Sequence, residues 1–327
     1  MGKTAKTNTL FLGVVMFYLG GSIFLSWLLN YVIKTSLPVW ASIVISQMLI
    51  FVPMCVYLKI NNEKVKELIP YKKMSISNFL ICILFAILLI PVVIFINMIS
   101  MLFVKNELQG TVGMIYEYPF ILQVILLAII PPVFEEFAFR GVFFHSFRRN
   151  NILGAAILSG VMFGLIHLNF NQFAYAFVLG IVFAMLVEAT GSMFSSMAAH
   201  FVINMNSVVW MAIYNFIEKF LENNSELLED ATLQIDTTTT MEATSLASFP
   251  KEILIIYVII LLGMAIVFGV LAFLVFRWLS IRNGRWQHIK EVVKDTPFKK
   301  KKENFIDLPL VFAIAICIGY MFLVEYL

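Results

Sequence analysis

The residues best suited to chemistry lie in one mostly apolar stretch, between positions 135 and 204 of the chain. They carry carboxylate, guanidinium, imidazole and amide groups, each of which is costly to bury in hydrocarbon. Such groups are rare inside apolar segments and mark a functional site by default. The set is Glu135, Glu136, Arg140, His167, His200 and Asn204.

The twin glutamates differ in the partners that a helix would give them. Glu136 stands four residues before Arg140, which is the favourable order for an ion pair on a helix. Glu135 points about 100° away around the helix axis, so the same arginine does not satisfy it. We therefore predict that Arg140 neutralises Glu136 and that Glu135 is the freer carboxylate. A buried acid that only locks helices together is the alternative for Glu135.

Two further pairs of residues, Phe163 with His167 and His200 with Asn204, are also four apart, so each pair lies on one helix face. A carboxylate and a neutral imidazole in an apolar cavity can share and activate a water molecule. Donors from a second imidazole and an amide can stabilise the oxyanion of a tetrahedral intermediate. The combination suits hydrolysis of a peptide bond.

Composition indicates the elements that must position these groups. Of 327 residues, 61% are hydrophobic and 13% charged, which is far from the balance of a soluble protein. We predict an all-α polytopic membrane protein with about nine transmembrane helices, or eight, around a catalytic four-helix core. The candidate segments, each near the span length of about 20 residues, are 10–33, 38–58, 76–104, 119–147, 152–168, 172–188, 193–215, 252–277 and 306–325.

The connecting loops predict an orientation, because Lys and Arg collect in cytoplasmic loops. Basic residues fill 59–73, 148–149 and 277–302, whereas 216–251 is acidic. We expect a cytoplasmic N-terminus, an external C-terminus and a mobile external loop over 216–251. The basic loops are explained by topology and by contact with anionic lipids, and no nucleic-acid site is predicted.

The chain divides by these features into four parts. The predicted parts are an N-terminal three-helix membrane region at 1–118, a catalytic core at 119–215, the acidic external loop at 216–251, and a C-terminal two-helix region at 252–327 with a basic cytoplasmic loop.

The predicted topology also gives each polar group a depth. Counting about 1.5 Å per residue from the cytoplasmic boundary places Glu135, His167, His200 and Asn204 at roughly 18, 22, 11 and 17 Å. We therefore expect these four groups to meet near the middle of the membrane. A proline pair at 131–132 predicts a kink that frees backbone carbonyls beside Glu135.

Three ordered motifs resemble those of the CAAX prenyl protease and bacteriocin-processing (CPBP) family of intramembrane glutamate proteases. They are E-E-x-x-x-R from Glu135 to Arg140, F-x-x-x-H from Phe163 to His167, and H-x-x-x-N from His200 to Asn204. The resemblance covers about residues 119–210. The linker between the last two motifs, with Gly180 and the turn at 191–192, is also similar to the family pattern.

This resemblance implies a metal-independent endopeptidase that cleaves a peptide precursor or a membrane-associated protein. By analogy, Glu135 with His167 would activate water, and His200 with Asn204 would form the oxyanion hole. Glu136, Arg140 and Phe163 would support the site. The Lys-, Asn-, Ile- and Phe-rich composition suggests a bacterial cytoplasmic membrane.

Several other interpretations stay open at this stage. Zinc could bind Glu135, His167 and His200, and Ser196 could form a nucleophile dyad with His200. A non-catalytic scaffold or bacteriocin-immunity protein could retain the fold, and a transporter could use the acid and histidines as a proton relay. Oligomeric state is left open.

Polar residues near the basic boundary are predicted to be structural. We expect Glu188 to be solvated or paired with arginine, and we assign no role to His145 or His288.

Overall fold

The computed structural model describes residues 2–104, 115, 118–223, 250–298 and 303–326, and this part of the chain is helical, with short connections and no strand. Its long helices alternate with loops in the order expected from the apolar segments. Their bounds are α1 Lys3–Trp27, α2 Val39–Ile60, α3 Ile76–Met101, α4 Phe120–Phe147, α5 Ile152–Leu165, α6 Phe170–Thr190, α7 Met193–Asn223, α8 Lys251–Arg282, α9 Trp286–Lys294 and α10 Leu308–Tyr326.

The prediction of an all-α polytopic membrane protein is confirmed. In the described residues, eight helices are long and apolar enough to cross a membrane. The remaining candidate, the fifth apolar segment, forms α5, which has only 14 residues, or roughly 21 Å. That is shorter than a hydrocarbon core of about 30 Å, so we expect the turn after α5 to lie at membrane depth rather than in water.

The end of α7 differs from the sequence prediction. The helix continues to Asn223, eight residues past the predicted end of the segment at 215. Phe216, Ile217 and Phe220 sustain apolar spacing over two more turns, and charged side chains are compatible with a helix once it leaves the hydrocarbon. Residues 224–249 of the predicted external loop lie outside the described residues.

A hairpin of α5 and α6 forms one wall of the core. The two helices approach so closely that a Cβ on Gly180 would lie 2.5 Å from the Cα of Gly160, so glycine at this crossing permits backbone contact. At the end of α6, Gly191 has a φ of +73° and closes the helix in the left-handed conformation. The chain then turns directly into α7.

The remaining helices enclose this core. α3 packs against α8, α7 and α6, whereas α1 packs against α2 and α10. The N-terminal and C-terminal parts of the chain therefore interleave around α4 to α7.

Candidate active site

The helix that carries the twin glutamates is irregular. Within α4, two π-helical stretches, Val124–Ile129 and Phe137–Phe144, flank an α-helical segment, Ile130–Glu136. π-helical turns are uncommon and occur often at functional sites. Here they set the directions in which the glutamates leave the helix.

The proline pair has the expected effect on the backbone. Pro131 and Pro132 lack N–H groups, so the carbonyl of Leu127 has no helical donor four or five residues later. The Nδ2 of Asn204 donates to that carbonyl at 3.0 Å. The carbonyl that the prolines leave without a helical donor is thus that of Leu127, eight residues before Glu135, and Asn204 satisfies it with one of its two amide hydrogens.

Glu135 is held mainly by a neutral group. Its side chain is buried, and Oε1 accepts a hydrogen bond of 3.0 Å from the Nε2 of Gln47 on α2. Oε2 lies 3.7 Å from the Nε2 of His200. Among the described residues, no Lys or Arg comes within ion-pair distance of this carboxylate.

Glu136 has the cationic environment that its neighbour lacks. Its Oε1 lies 3.0 Å from the Nη1 of Arg140, so the predicted pair is present, and both side chains are fully buried. The guanidinium nitrogens have no acceptor in hydrogen-bond geometry within the described residues. The group lies instead over the rings of Phe163 and Phe183, 4.3 and 5.2 Å from their centroids. Coulombic and cation–π attraction together hold it.

His200 lies between the two glutamates. Its Nδ1 is 3.0 Å from the Oε1 of Glu136, and its Nε2 faces Glu135. An ionised carboxylate only accepts hydrogen bonds, so Nδ1 carries a hydrogen while Glu136 is ionised. In the neutral ring Nε2 then has a lone pair, and it becomes a donor only when the imidazole is protonated.

His167 has a defined tautomer because of its own helix. Its Nδ1 lies 2.7 Å from the carbonyl of Phe163, and a carbonyl can only accept, so Nδ1 carries the hydrogen. The neutral ring therefore presents a lone pair at Nε2. The ring of Phe163 meets both His167 and His200 edge-on, with centroids 5.0 and 5.7 Å apart.

The structure thus gathers most of the predicted set. Glu135, Glu136, Arg140, Phe163 and His200 form one cluster of contacts, and His167 joins it through Phe163. The imidazole in contact with Glu135 is that of His200, whose Nε2 lies 3.7 Å from Oε2.

Gln47 is the functional candidate that the sequence interpretation missed. Gln47 is an amide in the apolar run IVISQMLIF, which lies outside the stretch 135–204 that carries the predicted set. A polar side chain in the middle of an apolar span was the available indication. Its position against Glu135 depends on the packing of α2 on α4.

Two alternative chemistries find little geometric support. The hydroxyl of Ser196 donates to the carbonyl of Met193 at 3.0 Å, while the Nδ1 of His200 faces Glu136, so a serine–histidine dyad is not formed. Within the described residues, no group of three His, Cys, Asp or Glu side chains is placed to hold a metal ion.

A second buried glutamate lies at the end of α6. Glu188 is 2% exposed, and both of its oxygens bind Arg148, at 2.7 and 3.0 Å. Arg285, directly before α9, lies 3.3 Å from the Oε2 of Glu188, and His288, within α9, lies 2.7 Å from the same oxygen. The arginine-paired interpretation is confirmed, and His288, which had no assigned role, is a structural partner of Glu188.

Comparisons with known proteins agree with the motifs. Residues 117–206 match the family model described as type II CAAX prenyl endopeptidase Rce1-like. The chain is 27% identical over 126 residues to a protein of Bacillus subtilis (strain 168) named "Putative membrane peptidase YdiL". That match covers 38% of this chain and spans about half, 50%, of the relative. No solved structure is significantly similar.

Proposed function

We propose that residues 117–206 form a membrane protease region of the CPBP type and that the chain is an intramembrane endopeptidase whose general base is Glu135. The observation that carries the proposal is the difference between adjacent acids. Glu136 pairs with Arg140, whereas Glu135 is buried against a neutral amide and one face of His200. A carboxylate held in place without a fixed cation is free to accept a proton.

The first chemical step is the activation of water. Gln47 holds Oε1 of Glu135, which leaves Oε2 to accept a proton from a water molecule. His167 offers its Nε2 lone pair to the other hydrogen of that water and orients it. The water oxygen bonds to the peptide carbonyl carbon, and the proton resides on Glu135.

The second step is the collapse of the tetrahedral intermediate. The remaining amide hydrogen of Asn204 and a protonated Nε2 of His200 donate to the oxyanion. The Glu136 carboxylate compensates the positive charge on His200. Glu135 then passes its proton to the leaving amine as the C–N bond breaks, which restores the carboxylate.

The substrate is a peptide precursor or a membrane-associated protein, and the reaction uses no cofactor. In this proposal the protein lies in a bacterial cytoplasmic membrane with its basic loops and N-terminus inside and its C-terminus outside. The similarity to a bacterial relative supports the bacterial membrane, and the charge of the loops supports the orientation.

The test is peptide cleavage by the purified protein in lipid nanodiscs, with a peptide library as substrate. We expect Glu135→Gln to lower the cleavage rate by about 10²- to 10⁴-fold, the usual contribution of a general base. Glu188→Gln is the matched control, since it alters another buried glutamate with the same chemical change.

Each other outcome has a defined meaning. Cleavage that survives Glu135→Gln overturns the mechanism, and loss of cleavage with a chelator alone makes the site metal-dependent. A wild-type protein that cleaves no library peptide supports the non-catalytic scaffold instead.

A further inference from the structure

A polar cavity of about 290 Å³ lies between α3, α6 and α7, beside the candidate active site. In a bundle this apolar, polar side chains around one cavity require a reason. The polar residues that line it carry amide and hydroxyl groups. They are Asn97, Asn171, Asn204, Asn206, Ser207 and Tyr175.

Two of these residues link the cavity to the catalytic groups. Asn204 lines the cavity and donates to the carbonyl of Leu127 on α4, the helix that carries the glutamates. Tyr175 lines it as well and lies within electrostatic range of Glu135. A molecule in the cavity therefore extends towards the reacting groups.

Asn171 indicates that the cavity receives a ligand. It lies in the first turn of α6, its side chain is 2% exposed, and its Nδ2 has no hydrogen-bond partner among the described residues. A buried amide donor without an acceptor destabilises a protein unless something else fills the need. The Nδ2 of Asn97 donates to the sulfur of Met101 at 3.4 Å, and a thioether sulfur is a weak acceptor.

The backbone around the cavity is also unusual for membrane depth. After the short α5, residues 166–169 leave the helix, and Leu168 has a φ of +53°. Irregular backbone at this depth is tolerated where it is buried in protein or lines a cavity. The turn joins His167 to Asn171, so the catalytic histidine and the unpartnered amide are held by one element.

The chemistry of the lining selects a peptide backbone. Side-chain amides both donate and accept, as peptide groups do, and the described residues that line the cavity include no Lys, Arg, Asp or Glu. A transmembrane helix satisfies its own backbone, so a substrate that unwinds for cleavage needs new partners in the membrane. A larger groove of about 510 Å³ between α1 and α2 is mostly apolar and offers few such partners.

We propose that this cavity is a subsite that binds the extended backbone of the substrate next to the scissile bond. The inference rests on the proposed function, because it names the form in which the peptide is held. Asn171 and Asn97 donate to substrate carbonyls, and their side-chain oxygens accept from substrate N–H groups.

The test measures binding without cleavage. The probe is a fluorescent decapeptide of alternating leucine and alanine, compared with the same peptide methylated at its central backbone nitrogens. Fluorescence anisotropy reports binding to the Glu135→Gln protein in nanodiscs, with empty nanodiscs as the baseline for lipid partition. We expect the unmethylated peptide to bind at least about tenfold more tightly, and Asn171→Leu or Asn97→Leu to remove most of that difference.

A matched control is Asn30→Leu, which makes the same change at an exposed position in the π-helical stretch Leu28–Ile33 that continues α1. It should leave the discrimination intact. If Asn171→Leu does not fold, Asn206→Leu at the partly exposed rim provides the same test.

Equal binding of the two peptides, or discrimination that survives the cavity substitutions, overturns the subsite. Because the probe is read in a variant that cannot cleave, this failure differs from failure of the proposed function. Retained discrimination without any wild-type cleavage rejects only the proposed catalysis.

Discussion

Glu188 and Glu135 are both buried, at 2% and 8% exposure, yet their surroundings are opposite in kind. Glu188 meets two arginines and a histidine, so its charge is fully balanced. Glu135 meets an amide and a single histidine at 3.7 Å. A carboxylate surrounded by cations joins helices, whereas one fixed by a neutral donor keeps its capacity to take up a proton.

The same contrast recurs between neighbours inside the site. Glu136 resembles Glu188, because Arg140 and His200 both approach one of its oxygens. Burial alone therefore does not distinguish a catalytic acid from a structural one. The discriminating feature is whether a permanently charged partner lies within ion-pair distance.

The largest effect on stability is expected from Arg140→Met. The substitution leaves Glu136 as an uncompensated buried charge, which costs about 3–5 kcal/mol. Unfolding by SDS in mixed micelles measures the change. The double variant with Glu136→Gln should recover part of the loss, because removing both members of a buried pair costs less than removing one. Unchanged SDS resistance of Arg140→Met would show that Glu136 needs no cation.

Glu188→Gln should have a smaller effect on stability and little on catalysis. Arg148 and Arg285 have side chains about one third exposed, at 31% and 32%, so water solvates them when the carboxylate is lost. We expect a loss of about 1–3 kcal/mol in the same SDS titration, with the cleavage rate per folded molecule retained.

The matched control is Glu291→Gln, which changes an exposed glutamate on α9 and should leave stability unaltered. If Glu188→Gln lost as much cleavage as Glu135→Gln, the distinction between Glu188 and Glu135 would be removed.

The helices were predictable because apolar runs of spanning length leave few other structures in a bilayer. The shortness of α5 was not, since the sequence prediction carried this segment through His167 to Leu168. The helix ends there because Leu168 adopts a positive φ and Asn169 caps α6 through a bond to the backbone N–H of Gln172. Both features depend on backbone conformation rather than on hydropathy.

The site was predictable where helical periodicity decides the contact, as for Glu136 and Arg140. It was not predictable where a contact depends on the packing of two helices, as for His200 of α7, which meets both glutamates of α4. The contact between Gln47 and Glu135 depends on which face of α2 packs against α4, and sequence periodicity does not define that face.

Gln47→Leu tests whether a neutral donor suffices to position Glu135, the proposed general base. Loss of this hydrogen bond should lower kcat by about tenfold, or about 1.4 kcal/mol, while KM changes little. Peptide cleavage in nanodiscs measures both constants. Ser46→Ala, one residue earlier on α2, is the control and should keep wild-type kinetics. An unaltered kcat in Gln47→Leu would mean that Glu135 is positioned by packing alone.

The smallest effect concerns a glutamate outside the membrane spans. Glu303 accepts hydrogen bonds from the backbone nitrogens of Thr4 and Lys3, at 2.6 and 3.1 Å, at the start of α1. These bonds, that from the Thr4 backbone above all, lower the pKa of the Glu303 carboxyl. Its stabilising contribution is therefore present above the unfolded pKa of about 4.3 and is lost as the pH falls through the lower folded value.

Glu303→Gln should thus cost at most about 1 kcal/mol at pH 7, the usual worth of a carboxylate at a helix N-terminus. The difference from wild type should shrink as the pH falls from about 4.3 through the lower folded pKa, where the native carboxyl also becomes neutral. Unfolding measured across pH 3 to 8 tests this, with Glu291→Gln as a control that shows no such trend. A difference that is constant with pH would mean that shape, not charge, makes Glu303 useful. In that event the hydrogen-bond partners of a carboxylate would also not indicate what the charge does at Glu135 and Glu188.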